Sequence, residues 1–243
     1  NADIARMNTM RKVLITIAVI LLVAVVGGAI VKNIVTMNKS PATYLRGFAY
    51  NGYGDMLQFL DHMKEGNSVV AWYGDWNEGR SGGAACVITE IAKQRNFTTL
   101  VIFQFFHQDN GQLIRPLDNA NKENYREIAE NYAERYNPRW LGLGIEVNTL
   151  YEKNPQYFDE FVLFYNDVYD AVKAKSPETK VFTVFQLEAI KGLSGLSGPH
   201  QQAWQLIDMF KLDAVGFTTY PELVFKKPNE IPDNYYVEIA LHT

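Results

Sequence analysis

Trp140-Leu141-Gly142-Leu143-Gly144-Ile145-Glu146-Val147-Asn148 reads as a strand with two unlike faces. Side chains alternate across a strand, so Gly142, Gly144, Glu146 and Asn148 share one face while Leu141, Leu143, Ile145 and Val147 share the other. A later run sorts the same way, with Ala214, Gly216, Thr218 and Tyr220 opposite Val215, Phe217 and Thr219. Small and then polar residues on one side, and bulky apolar ones on the other, suit a strand with a crowded barrel interior behind it and helices in front. A strand of an open doubly wound sheet is bulky on both faces. The pattern therefore points to a (β/α)8 TIM barrel rather than an open sheet.

Working outward, strand-like runs fall at Leu45 to Tyr50, Ser68 to Tyr73, Thr99 to Phe105, Trp140 to Val147, Lys180 to Leu187 and Asp213 to Thr219. Helical runs lie between them: Asp55 to Lys64, Ala84 to Gln94, Lys122 to Tyr136, Pro155 to Lys175 and His200 to Phe210. The helix from Pro155 is the clearest, with Phe158, Phe161, Val162, Tyr165, Val168, Tyr169 and Val172 on one stripe and Ser176-Pro177 ending it. Strands recurring at the spacing of βα units require crossovers and hence parallel pairing. Six such units are legible where a closed barrel needs eight, so the last two are expected to be missing: a parent protein would run on by roughly 60 to 90 residues, or alternatively a naturally short chain would complete its core by oligomerising. Asn234 to Leu241 reads as the start of a helix or a connector. Gly192 to Gly198 reads as a loop without the Gly-Lys-Ser/Thr ending of a phosphate-binding turn.

The N-terminal part has another character. Val13 to Val31 is an uninterrupted apolar or small-residue run, bounded by Arg11-Lys12 and Lys32 and about as long as a bilayer crossing. The upstream basic residues place the N-terminus in the cytoplasm and everything after Lys32 outside it. The organisation expected is a leader over 1–36 with a transmembrane or signal-anchor helix at 13–31, a linker over 37–44, and a partial barrel over 45–243. The product is then membrane-anchored and facing outward, or secreted if the leader is cleaved near Gly27-Gly28-Ala29.

Composition narrows the chemistry. The 243 residues carry a formal charge of -4, with no run of Lys and Arg interleaved with aromatics, which argues against a nucleic-acid partner. The single Cys86 fits a small core residue. In a TIM barrel the active centre gathers at the C-terminal strand ends. Those ends read Tyr73-Gly74-Asp75-Trp76, Gln104-Phe105-Phe106-His107, Glu146-Val147-Asn148, Gln186-Leu187-Glu188 and Thr218-Thr219-Tyr220-Pro221. Carboxylates can protonate a glycosidic oxygen, amides can bind sugar hydroxyls, and aromatic rings can stack on sugars. The four histidines are scattered, so no metal is expected, the one alternative being a site at His107 with Asp75 or Glu146, and glycoside hydrolysis by carboxylates needs no cofactor. Candidate substrate contacts are Tyr73, Asp75, Trp76, Gln104, His107, Asn148, Gln186, Glu188 and Tyr220.

The stretch from Trp140 to Asn148, followed by Pro155, Phe158, Phe161, Tyr165 and the helix end at Lys173 to Pro177, resembles the fourth βα unit of retaining barrel glycoside hydrolases, particularly the arabinogalactan endo-galactanase-like proteins. Tyr220-Pro221 at the sixth strand is similar too. The resemblance implies that Glu146 is the general acid/base, that the substrate is a β-linked polysaccharide, and that the nucleophile is a Glu ending a seventh strand, beyond Thr243. The family places Asn immediately before the acid/base; here that position is Ile145. Two readings follow: an extracytoplasmic retaining glycoside hydrolase, or a catalytically inactive glycan-binding barrel at the cell surface. A barrel enzyme of another class, such as an aldolase, would want a Lys on an inward strand face, and none is there.

Overall fold

Val, Ile, Phe and Thr, whose branched or aromatic side chains pack well on a pleated surface, dominate the strand runs. They form β1 (Gly47–Ala49), β2 (Val69–Asp75), β3 (Thr98–Gln104), β4 (Trp140–Leu143), β5 (Lys180–Gln186) and β6 (Ala214–Thr218). The computed structural model describes residues 45–50, 54–63, 68–193 and 201–242. Between the strands lie α1 (Met56–His62), α2 (Ala84–Gln94), α3 (Asn119–Tyr136), α4 (Val147–Lys153), α5 (Pro155–Lys175) and α6 (Leu187–Ile190). Local chemistry sets several helix ends. The Asp55 carboxylate accepts from the N–H groups of Leu57 and Gln58, and that of Asp118 accepts from Asn121, filling donors that a helix start leaves open. Asn137 closes α3 in the left-handed conformation, and Pro155 sits in the first turn of α5 where its missing N–H costs nothing.

All neighbouring strands are parallel, and their order in the sheet is their order in the chain, β1-β2-β3-β4-β5-β6. A doubly wound sheet would reverse direction part-way and cover both faces with helices. Here the helices share one core with the outward strand residues Val70, Trp72, Val101, Phe103, Leu141, Leu143, Val181 and Phe185. The other face carries a small separate cluster, Ile102, Ile145, Phe182 and Val184, with Leu100, Trp140 and Ala214 against it. Consecutive parallel order with helices on one side and an apolar interior on the other is the arrangement of a partial TIM barrel. Arg46–Thr243 form one compact unit.

The glycines of the inner face have a steric cause. A Cβ on Gly142 would lie 2.8 Å from Ile102 and 3.0 Å from the Phe182 ring, and one on Gly216 would lie 2.9 Å from Val184. Bulky residues on β3 and β5 fill the interior, and the intervening β4 and β6 yield the space.

Three expectations are corrected. The fourth strand ends at Leu143 rather than Val147, because Gly144 has φ +95° and turns the chain out of the pleat. Ile145 therefore joins the inner cluster instead of lying beside Leu141 and Leu143, and Val147 and Asn148 open α4. The helix expected over 200–210 is a 3-10 helix at Trp204–Met209, and the tail forms a 3-10 helix at Val237–Leu241. Among the described residues no helix is long and apolar enough to cross a membrane; the apolar run 13–31 lies outside them.

The interior packing yields a prediction. Gly142→Ala should lower unfolding stability by about 1–3 kcal/mol through overpacking. Combined with Ile102→Ala, it should cost clearly less than the two single losses added, since each relieves the other. Strict additivity in denaturant titrations would contradict this account of the interior.

Candidate functional site

The C-terminal end of β4 is a three-residue turn from strand to helix. The Gly144 N–H continues the sheet by donating to the Phe103 carbonyl (2.9 Å), but its positive φ reverses the path. Glu146 follows at φ 56° and ψ 45°, a left-handed conformation that costs a residue with a side chain about 1–2 kcal/mol. The Glu146 carbonyl then accepts from the Thr149 N–H (2.8 Å) and hydroxyl (2.7 Å), starting α4. Such strain persists where surrounding structure fixes it, and it clusters at functional sites.

The Glu146 side chain is partly buried, and the Thr218 hydroxyl at the end of β6 donates to its Oε1 at 2.6 Å. Burial raises the carboxyl above the ordinary glutamate range; the Thr218 hydrogen bond and the Lys153 ammonium work against this, and the charge of Glu188 works with it. Lys153 is steadied at the rim by the carbonyls of Gln108 (3.0 Å) and Asp109 (2.6 Å). Tyr220 and Tyr73 are both substantially exposed. The Tyr220 phenol is raised by burial and then by Glu146, Tyr73 and Glu188, so these groups share one electrostatic neighbourhood.

Asn148, Gln186 and Glu188 are brought together but are buried and engaged with one another. The Asn148 amide accepts from the Gln186 N–H (2.8 Å) and donates to the Gln186 carbonyl (3.0 Å), tying the start of α4 to the end of β5. Glu188 is fully buried in α6. It accepts from the Thr219 hydroxyl (2.7 Å), the Tyr235 hydroxyl (2.6 Å) and the Gln186 amide (2.5 Å).

The remaining candidates sit toward β2 and β3. Asp75 takes a bidentate pair from Arg115 (2.6 and 2.7 Å) and the N–H of Asn77 (2.9 Å). Burial pulls its carboxyl upward, but the Arg115 and Asn77 bonds outweigh it and leave Asp75 below the usual range. Trp76 is buried against Tyr125, with the Arg115 guanidinium 4.7 Å over its ring. Gln104 braces its own loop through the Phe106 carbonyl and Gln108, both at 2.9 Å. His107 is exposed in that loop, which folds back through a bridge between Phe106 and Leu113. Thr218, Thr219, Tyr235, Lys153 and Arg115 were not among the expected site residues. Thr218 carried a signal, its inward parity with Gly216; Tyr235 and Arg115 carried none. No group of three or more His, Cys, Asp or Glu able to hold a metal occurs among the described residues. A cleft of about 420 Å³ opens beside the site, lined by Lys153, Tyr151, Gln201, Gln202 and Gln205 among others; Glu146 does not line it.

No family model and no curated protein matches the chain. Among solved structures, it is similar to a β-galactosidase from the Antarctic haloarchaeon Halorubrum lacusprofundi, at 12% identity and a TM-score of 0.47, over 79% of this chain and 42% of that one. It is also similar to a sugar phosphate isomerase/epimerase from Parabacteroides distasonis, at 12% identity and a TM-score of 0.41, over 68% of this chain and 63% of that one. The chain thus spans less than two thirds of either protein. The fold assignment rests on strand order and register rather than on these likenesses.

The two perturbed carboxylates should leave opposite marks on stability. Glu146 is raised in the folded state, so replacing it by Gln changes little below the unfolded glutamate pKa of about 4.3. As pH climbs through the folded value, the native protein loses stability relative to Glu146→Gln. Asp75 is depressed, so its contribution is present above about pH 4 and is lost as pH falls through the folded value. Asp75→Asn should therefore be least stable relative to the native protein at neutral pH. Thermal unfolding of the three proteins across pH checks both signs, and a reversed slope for either variant would refute that residue's assignment.

Proposed function

We propose that this chain is the catalytic-acid-bearing part of an extracytoplasmic glycoside hydrolase acting on a β-linked polysaccharide with retention of configuration, with Glu146 as general acid/base. The observation that carries the reading is the Glu146 carboxyl itself, held in a strained turn at the end of β4, partly buried and raised above its ordinary range. A residue that must first give a proton to a departing glycosidic oxygen and later take one from water works best with a pKa brought up toward the working pH. Burial supplies that lift, while the Thr218 hydroxyl keeps one oxygen in place and leaves Oε2 for the substrate. Tyr220 and Tyr73, exposed beside it, suit stacking on the apolar face of a sugar.

Retention requires a second carboxylate about 5–5.5 Å away across the scissile bond. Glu188 is sealed and spent on three donors, so the reading places the nucleophile on the strand that follows β6 in barrel order, where the family resemblance puts it. The apolar run 13–31 with its flanking Arg11-Lys12 supports an outward-facing location, tethered or secreted. A second reading, glycan binding without turnover, is favoured by Ile145. It is buried in the inner hydrocarbon cluster and offers no amide to a sugar hydroxyl.

Glu146→Gln should reduce hydrolysis of β-linked oligosaccharides by about 100- to 10,000-fold while leaving their binding within a few-fold of the native protein. Steady-state kinetics with calorimetric binding would show it. Undiminished hydrolysis would remove Glu146 from the mechanism, and binding with no hydrolysis by the native protein would select the second reading.

A further inference from the structure

Glu188 is fully buried, yet its two oxygens hold three polar partners, the hydroxyls of Thr219 and Tyr235 and the amide of Gln186. An amide or a hydrocarbon would serve mere packing at less desolvation cost. Its partners lead toward Glu146 by two routes. Thr219 on Glu188 Oε1 is chain neighbour to Thr218, whose hydroxyl holds Glu146. Gln186 on Glu188 Oε2 is paired through its backbone with Asn148, two residues beyond Glu146 on the same turn into α4. The seat is closed from the far side by Tyr235, which is itself pinned by Lys191, 4.1 Å over its ring and 2.7 Å from its carbonyl.

We propose that Glu188 is a positioning residue for Glu146, fixing the two segments that aim its carboxyl and setting a second negative charge behind it. This rests on the reading of Glu146 as the acid/base. The charged and titratable groups around Glu146 come from several elements: Lys153 on α4, Glu188 on α6 and Tyr220 beyond β6, with the Thr218 hydroxyl on β6. Lys153 favours the Glu146 anion and Glu188 disfavours it, so Glu188 adds to burial in keeping a proton available on Glu146.

Two variants probe this with the chain intact. Glu188→Gln keeps size and one acceptor oxygen: the new amide can turn its NH2 toward Thr219 and Tyr235, whose hydroxyls can accept, and keep its oxygen toward Gln186. Tyr235→Phe removes one neutralising donor from Glu188 and leaves its charge in place. With glutamate labelled at the carboxyl carbon, the Glu146 resonance is the one lost in Glu146→Gln, and its titration midpoint is read by NMR. Glu188→Gln should move that midpoint down and Tyr235→Phe should move it up, and in Glu188→Gln kcat should fall while KM holds. A folded Glu188→Gln protein with an unmoved midpoint overturns the proposal; if that variant does not fold, the Tyr235→Phe midpoint decides in the same way. A shifted midpoint in a protein that hydrolyses no glycan keeps the positioning role and refutes the proposed function. Hydrolysis with an unmoved midpoint does the reverse.

Discussion

The hydrogen bond from Thr218 to Glu146 joins the end of β6 to the end of β4 across the intervening β5, at 2.6 Å. It forms only if three constraints are met together. The sheet must curl enough for strands two apart to meet at their ends, β4 must turn sharply at Gly144, and Glu146 must accept a left-handed backbone. Each has a separate origin. The curl follows from an interior filled by Ile102, Phe182 and Val184 while Gly142 and Gly216 give way. The turn follows from Gly144, where a Cβ would sit 2.9 Å from Val147 and 3.0 Å from the Phe161 ring, and where φ is positive. The strain at Glu146 is offset by the hydrogen bonds that begin α4.

Around that contact the molecule sorts its carboxylates by environment. Asp75 is bound bidentately to Arg115 and held low, so it stays a fixed anion that organises the β2 end and the loop after β3. Glu188 is removed from solvent and surrounded by donors. Glu146 is partly buried, held by one hydroxyl and raised above the ordinary glutamate range, a combination that recurs at groups which exchange protons. The same carboxylate group thus meets a different environment at each strand end.

The fold was largely legible because it depends on period and spacing. The alternation of Ala214, Gly216 and Thr218 against Val215 and Phe217 holds in β6, and the stripe from Phe158 to Val172 faces the core in α5. The alternation failed where a glycine changed the rules. Gly144 has the parity of one more small inward residue, whereas a glycine inside a strand pattern often marks a bend, and Ile145 changes face with it. The site was less legible, because its determinants are distant in sequence. Glu188 is closed off by Tyr235, 47 residues on, and Asp75 is neutralised by Arg115, 40 residues on. Neither distance leaves a local signature. Trp76 looked like a sugar platform from its place at a strand end, and the ring of Tyr125 from α3 buries it.

The central claim is that Glu146 acts as acid and then as base in a double displacement, and azide rescue addresses it directly. In Glu146→Ala, an aryl β-glycoside with a good leaving group can still form the glycosyl-enzyme, but water lacks the base that would deprotonate it. Azide is already an anion and needs none. The account predicts that azide accelerates turnover of Glu146→Ala and yields the β-glycosyl azide. No acceleration from a folded variant of an active protein, or an azide product of α configuration, would contradict it.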